Sequence, residues 1–558
     1  MTGNGFSTTR FLLLGAALGV VFFFLYSFLP LTAPPRFNSP DEMSNHFFAV
    51  KFLETQRLWH LEPLNLEFGG EIGPRSMRSV DGFLVPGGFL GLPLLYGSLG
   101  MVGGRGLLLF LTPIFAVLGA LFWGLLIRRL FGDAVGLAAM LLLMAHPVWW
   151  YEASRTMMPN VLFMTLTIAA AYFLFAEPLR GFFCRRPDLE PRLLHHGDAI
   201  ISGLLAALAL FVRTSEAYWL ALAGIVLLAT VRPLPWRRIL IFLASALFMM
   251  LPLLIFNHAV YGNIFASGYG DALQAVPPDQ VAQGRGAQLL GPLRPYLFPL
   301  GFAPRDAWRH FLSYGVAFFS WWSVLTAVAV LLAGAVALRR RGAAGRPTRP
   351  FVLVALTVSL WLILFYGSWT IRDNPDPDAV TIGSSYFRYW LPLFLFSTVP
   401  VAWMAARLVG RVPRKQMPAV ATVLFLAYAA FSGQAVFGSP DEGLTAIRQT
   451  LEQDHQTALA ITDLTEVGSL IVVDRADKTL FPDRAVLQPL RDERTYRIIG
   501  ETAHRIPVYY FGITFPERDL SYLHEVKLKP WDLMLEPIEG FGERTLYRIK
   551  PSVAASAD

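Results

Sequence analysis

Cysteine is almost absent: Cys184 is the single one in 558 residues. No intrachain disulfide can form, and a cysteine-rich metal site is excluded. Charge is scarce as well. Asp, Glu, Lys and Arg make up 16% of the chain, against roughly 25% in soluble domains. The shortfall is uneven: long stretches up to about residue 436 are nearly uncharged, and the tail returns to ordinary density. Glycine-rich phosphate loops of the GxGxxG and Walker kinds are missing, so a nucleotide sugar held by a Rossmann-like domain of this chain is not expected. No regular internal repeat is visible.

Apolar residues take the place of the missing charge. They make up 54% of the chain, and mean hydropathy is +0.47. A run of about 20 apolar residues is the minimum that crosses a bilayer as a helix. Such runs place about eleven spans at 11–32, 105–127, 133–149, 159–176, 198–213, 216–231, 238–257, 311–338, 350–369, 389–409 and 417–436. The net charge of +7 would suit nucleic acid, but the basic residues cluster between apolar runs. Arg128-Arg129, Arg185-Arg186, Arg237-Arg238, Arg339-Arg340-Arg341 and Arg414-Lys415 fall in alternate loops. That pattern is the positive-inside rule. It puts the N-terminus in the cytoplasm, predicts a multi-pass protein of the plasma (inner) membrane, and argues against a nucleic-acid partner. The first run is too long for a signal-peptide core and reads as a retained helix. Residues 84–102 are apolar enough to span, but counting them would place the arginine clusters outside. Their Pro and Gly content suits an irregular path in the outer interface.

The outside segments are then 33–104, 150–158, 258–310, 370–388 and the tail. Residues 1–436 read as an all-α polytopic membrane domain, and 437–558 as a small extracytoplasmic α/β domain. In the tail, 441–456 predict a polar helix; Leu470–Val473 and Thr545–Ile549 predict strands.

The first outer segment carries the main signal. Ser39-Pro40-Asp41-Glu42 opens a predicted helix from Pro40 to Thr55. Phe47, Phe48, Val50, Phe52 and Leu53 give it an apolar side suited to lying on a bilayer. The plain reading is a capping box, with Ser39 as N-cap and Glu42 reaching back. The same four residues recur at Ser439–Glu442, where no chemistry is suspected. The functional reading is a carboxylate base at the water–lipid boundary. Glu42 and His46 stand four apart and share a helix face. With Asp41 they could hold a divalent metal such as Mg or Mn, but two ligands do not make a site.

A carboxylate just after the first span, an interfacial helix, and a Pro-containing segment before the second span resemble the GT-C glycosyltransferases. These are polytopic enzymes that use polyprenyl-phosphate-linked sugars. The nearest likeness is to the protein-mannosyltransferase and aminoarabinose-transferase group (family 39-like). Leu130-Phe131-Gly132 is similar to that group's cytoplasmic turn, and Ala153–Asn160 to its second outer loop. Phe256-Asn257-His258, Tyr261-Gly262-Asn263 and Ser267-Gly268-Tyr269 resemble an Asn…Phe-Gly…Gly-Tyr stretch of related members. Tyr386-Phe387-Arg388-Tyr389-Trp390-Leu391-Pro392 looks like the Arg-Tyr-x-x-Pro start of a late span. One departure is Asn160, which stands where an acidic residue is common and cannot act as a base; Glu152 is the nearby substitute. The Trp-Trp-Asp signature of oligosaccharyltransferases is absent: Trp321-Trp322 is followed by Ser323.

The resemblance implies inverting transfer of a sugar from a polyprenyl-phosphate donor to an acceptor hydroxyl of a protein, lipid or glycan. Asp41 would be the general base, with Glu42 as second choice. Cations at the outer interface would hold the donor phosphate: Arg388 and Arg213 first, then Arg294 and Arg372. Each arginine has an alternative reading as a snorkelling or headgroup contact, and Glu216 could simply pair with Arg213. His46, Glu152, Asn160, Tyr269 and Tyr386 are candidate substrate-binding residues, although outer-loop aromatics also form interfacial belts. Two other classes compete: a transporter or flippase of lipid-linked glycans, and a non-catalytic assembly protein acting through its tail.

Overall fold

The computed structural model describes residues 8–175, 196–231, 233–269, 299, 301–339, 348–371, 373 and 379–552. The chain divides into two compact units. The first comprises 1–31, 109–256 and 269–446; the second comprises 32–108, 257–268 and 447–558.

The first unit is helical. Among the described residues, six helices of the chain are long and apolar enough to cross a membrane: Thr8–Tyr26, Arg105–Phe131, Trp236–Tyr261, Arg349–Gly367, Leu391–Val409 and Met417–Gly438. Counting each of three bent pairs as one span gives up to nine. The pairs are Asp133–Met144 with Pro147–Ser154, Gly197–Val212 with Thr214–Thr230, and Pro304–Ala317 with Ser320–Val336. The helix Pro159–Phe175 is apolar but shorter. Every segment expected to span therefore contains helix, but two expected spans are broken: 133–149 bends by 51° between Met144 and Pro147. The single span expected at 311–338 is broken by a 95° bend, where a π-helical turn (Phe311–Ala317) gives way to the helix Ser320–Arg339. The apolar residues of Trp236–Tyr261 remain largely uncovered by protein: Leu247 is 69% and Phe248 71% exposed. A helix that is hydrophobic without a protein partner needs lipid around it. Inside the unit, polar side chains tie helices together. Trp123 Nε1 donates to Thr398 Oγ1 (3.0 Å) and Ser202 Oγ to the Ala170 carbonyl (2.8 Å).

The second unit is built around a mixed sheet. Its strands are β4 (Leu470–Val473), β5 (Ala485–Leu487), β6 (Val508–Ile513), β7 (Leu533–Phe541) and β8 (Arg544–Pro551), in the order β5-β4-β6-β8-β7. β4 pairs in parallel with β5 and β6; β8 pairs antiparallel with β6 and β7. The strands expected at Leu470–Val473 and Thr545–Ile549 are therefore present. The expected polar helix runs later, over Leu444–Leu464.

Both faces of this sheet are covered partly by the first outer segment. Phe68 and Ile72 are buried with Leu470, Val472, Val508 and Tyr510. Met43 and Leu84 are buried with Ile471, Val473, Tyr509 and Phe511. A smaller sheet, β1 (His60–Leu61), β2 (Met77–Val80) and β3 (Phe83–Pro86), is ordered β1-β3-β2. The unit that holds the tail thus takes in residues 32–108 as well.

The expectation that the apolar side of Pro40–Thr55 lies on the bilayer is corrected. The apolar side of the helix Pro40–Thr55 is buried in protein: Phe48, Val50 and Phe52 are 0%, 6% and 7% exposed. The Phe47 ring meets Phe481 edge-on at 5.0 Å. The helix packs on Gly91–Gly103 through Gly97, where a Cβ would stand 2.8 Å from the Ala49 carbonyl oxygen. The helix Gly91–Gly103 has 13 residues, about 20 Å at 1.5 Å per residue. It falls short of a bilayer core of roughly 30 Å.

Candidate functional site

Asp41 and Glu42 sit side by side at the start of Pro40–Thr55 but do different things. Ser39 is extended (φ −125°, ψ 155°) and caps the helix. Its hydroxyl accepts from the Glu42 N–H (3.2 Å), while its own N–H donates to Glu42 Oε2 (2.8 Å). Glu42 is 3% exposed, and its carboxylate completes the capping box. The carboxylate of Asp41 instead accepts a 2.5 Å hydrogen bond at Oδ1 from the Ser76 hydroxyl.

Ser76 is positioned with care. Its φ is +63°, a left-handed conformation uncommon outside glycine. Its carbonyl accepts from Ser44 Oγ and from the Gly87 N–H, each at 2.8 Å. A Cβ on Gly87 would lie 2.6 Å from the Ser76 carbonyl carbon, so only glycine permits this approach. The preceding residue, Arg75, is clamped to Asp477, which is fully buried. Its backbone N–H donates to Asp477 Oδ2 (2.8 Å), and Nε and Nη2 donate to Oδ1 (2.9 and 2.7 Å). Arg75, Ser76 and Asp477 escaped the sequence reading. No local motif joins residues 402 positions apart.

His46, one turn beyond Glu42, turns its ring to Phe37 at 4.9 Å. Burial, and secondarily the Arg105 charge, lower its pKa from 6.5 to about 4, so it is a neutral imidazole at pH 7. Among the described residues, no three His, Cys, Asp or Glu side chains group as a metal would need. With Glu42 engaged in capping, the set Asp41, Glu42 and His46 does not fit a resident metal.

The hairpin β2–β3 also docks the stretch 257–268. Tyr261 donates to the Pro86 carbonyl (2.8 Å), and Gly268 N–H to the Gly88 carbonyl (3.2 Å). Gly268 is obligatory, since its Cβ would meet the Gly87 carbonyl carbon at 2.2 Å.

The helical unit holds a separate buried polar cluster. Arg213 sits at the 117° bend between Gly197–Val212 and Thr214–Thr230. Its Nε and Nη2 donate to Glu216 Oε1 (3.0 and 2.8 Å), and Nη1 donates to Asn160 Oδ1 (2.5 Å). Glu216 also accepts from Tyr366 (2.7 Å) and Trp219 Nε1 (2.6 Å). Asn160 Nδ2 reaches Glu152 Oε2 at 3.5 Å. Glu152, Asn160 and Glu216 are 1%, 2% and 3% exposed. Three of the sequence candidates, Arg213, Asn160 and Glu152, are thereby brought together, and Asn160 serves as a bridge between charges. The carboxylate of Glu216 matches the charge of Arg213 directly.

Arg388 joins the same neighbourhood through Tyr389. The guanidinium carbons of Arg213 and Arg388 each lie 5.2 Å from the Tyr389 ring centroid, within cation–π range. Arg388 Nη1 also approaches Met158 Sδ at 3.9 Å. Tyr386 is 2% exposed; its hydroxyl donates to the Trp369 carbonyl (2.6 Å) and lies 3.0 Å from His310 Nδ1. Burial pushes that phenol well above its ordinary value. Tyr386 is thus a structural tie of its loop. Tyr269 is 38% exposed. Arg294 and Arg372 lie outside the described residues.

No family model matches the sequence, and no curated protein matches it. Solved structures do. The chain is similar to ArnT from Cupriavidus metallidurans, crystallised with undecaprenyl phosphate, at 14% identity and a TM-score of 0.56. The likeness covers 99% of this chain and 100% of that one. It is also similar to an Archaeoglobus fulgidus oligosaccharyltransferase tethered to an acceptor peptide, at 10% identity and a TM-score of 0.51, over 89% of this chain and 69% of that one. Identity at this level speaks for architecture alone. The chain, a helical bundle with a small sheet unit, therefore shares the overall fold of these two solved structures.

Proposed function

We propose that the chain is a membrane glycosyltransferase that moves a sugar from a polyprenyl-phosphate donor to an acceptor hydroxyl at the outer face of the membrane, with inversion. The observation that carries this reading is the fixed carboxylate of Asp41. It follows the first span in a chain of GT-C fold, is held by the Ser76 hydroxyl, and is not consumed by capping as Glu42 is. In the reaction the acceptor oxygen attacks the anomeric carbon. The bond from that carbon to the phosphate oxygen breaks, and polyprenyl phosphate leaves. The acceptor proton passes to Asp41. Negative charge grows on the departing phosphate, and a cation must meet it. Arg388 and Arg213 are the candidates for that role; Glu216 matches the charge of Arg213. The reading places the N-terminus in the cytoplasm and the sheet unit on the extracytoplasmic side.

A transporter or flippase is the second reading. The buried charges of Glu152, Arg213 and Glu216 favour it, because ionisable groups within a bundle mark translocation paths. The test is a transfer assay with a panel of polyprenyl-phosphate sugars, with and without chelator. Wild type transfers one of them. Asp41→Asn folds normally and loses about a hundredfold to ten-thousandfold in rate, the usual contribution of a general base. An Asp41→Asn variant with undiminished transfer overturns the assignment of the base. Transport that survives Asp41→Asn, with no transfer by wild type, establishes the second reading.

A further inference from the structure

The sheet unit contains a cavity of about 410 Å³ that the proposed transfer does not use. This lies within the range of small-molecule sites, roughly 300–1,000 Å³. Four cations from separate stretches of the unit line it: Arg36, Lys51, Arg105 and Lys478. Against them stand two lining carboxylates, Glu54 and Asp483. Arg36 Nη2 meets Asp483 at 2.9 Å, and Arg105 Nη2 meets Glu54 at 3.2 Å. Lys478 donates to the Asn38 carbonyl at 2.6 Å and lies 3.8 Å from Asp454. Three of the four cations thus have a carboxylate beside them, and the fourth, Lys51, leaves the site with an excess of one positive charge.

Two buried polar atoms of the lining residues have no hydrogen-bond partner, Arg36 Nε and His455 Nδ1. Buried polar groups of native proteins are nearly always satisfied. Three phenylalanines, Phe37, Phe47 and Phe481, complete the walls. Low-dielectric walls strengthen every charge interaction within them. Arginine forks and lysine point charges together are what phosphate oxygens call for. A carboxylate presents two acceptor oxygens to these donors, whereas a phosphomonoester presents three.

We propose that this cavity is a binding site for a phosphate-bearing group, supplied either by a small phosphorylated compound or by the headgroup of an anionic phospholipid. The inference stands independently of the transfer reading, since it concerns binding only.

The full chain, purified in detergent, is titrated calorimetrically with glycerol 3-phosphate and with inorganic phosphate. In parallel, its thermal midpoint is compared in nanodiscs of phosphatidylglycerol and of phosphatidylcholine. Lys51 is the residue to change, because it is only half-buried and its loss should spare the fold. Lys51→Gln weakens binding about tenfold, the loss of one charge-assisted contact; Lys51→Arg retains it. Arg36→Gln gives a second, independent loss. Asp41→Asn binds as wild type, so a failed transferase assignment leaves this result untouched. Lys51-dependent binding of the soluble esters identifies a free compound as the source. Lys51-dependent stabilisation by phosphatidylglycerol alone identifies a lipid. The proposal is overturned if wild type responds to none of these probes, or if both glutamine variants respond as wild type does.

Discussion

At the scale of single residues, the geometry separates neighbours that look alike in sequence. Ser76 is a positioning residue, acting on the reaction through Asp41. Its hydroxyl donates one hydrogen bond to a charged group, worth roughly 1.5–3 kcal/mol. Ser76→Gly suits the φ of +63° and removes the hydroxymethyl group, and with it the hydrogen bond to Asp41. It should therefore lower kcat for sugar transfer about tenfold or more while leaving KM for the donor unchanged and lowering the melting midpoint modestly; steady-state kinetics beside a melting curve check both. His46 offers a pH handle. The folded chain holds its pKa near 4, whereas the ordinary value is 6.5. The unfolded chain therefore takes up the proton first as pH falls. The contribution of neutral His46 is complete above pH 6.5 and is lost progressively toward pH 4. His60 shifts the same way, through burial and then Lys51. Melting midpoints should fall across that window, and His46→Gln should flatten part of the drop. An unchanged slope in the variant would show that another group governs it.

At the scale of elements, one tetrapeptide takes two structures. Ser39–Glu42 starts a helix through a reciprocal capping box. At Ser439–Glu442 the same letters follow a helix as its C-cap and a turn: Ser439 Oγ bonds back to the Ala435 carbonyl, Asp441 has φ +65°, and Glu442 accepts from Thr381. At the first site no helix precedes the serine directly, and the tetrapeptide is free to cap the run Pro40–Thr55 that follows it. At the second, the preceding helix Met417–Gly438 reaches the tetrapeptide first and uses its serine. The two acidic residues of the first site should separate experimentally. Ser39→Ala costs about 1 kcal/mol through loss of the cap. Glu42→Gln can still bond back to the Ser39 N–H, so it should cost little in stability or transfer. A large loss of transfer in Glu42→Gln with an intact fold would move the base from Asp41 to Glu42. The helical spans were legible for a simpler reason: a bilayer demands a minimum apolar length, and nothing local competes. The break near Phe318 was not legible, because Trp321-Trp322 and the residues around them continue the apolar run without a proline or charge.

At the scale of the whole chain, the tail and the first outer segment were read as separate pieces. Nothing in either stretch calls for the other, since the first carries its own helix signal and the tail its own helix and strands. The contacts that join them are non-local: Arg75 with Asp477, and Phe68 and Ile72 with β4 and β6. Apolar residues scattered through a loop have no periodicity to reveal where they pack. The consequence is specific. Phe68 is 7% exposed and lies in the same core as Leu470, Val472 and Tyr510. Phe68→Ala should cost about 3 kcal/mol or more, the usual result of emptying a phenylalanine site. The loss should appear about 400 residues downstream as faster hydrogen exchange at β4 and β6, which begin at Leu470 and Val508. A self-contained tail would keep full protection in that variant. A joined core instead makes the loop bearing Asp41 and Ser76 only as firm as the sheet beneath it, so the same substitution should also reduce transfer, and to a greater extent as temperature approaches the variant's melting midpoint.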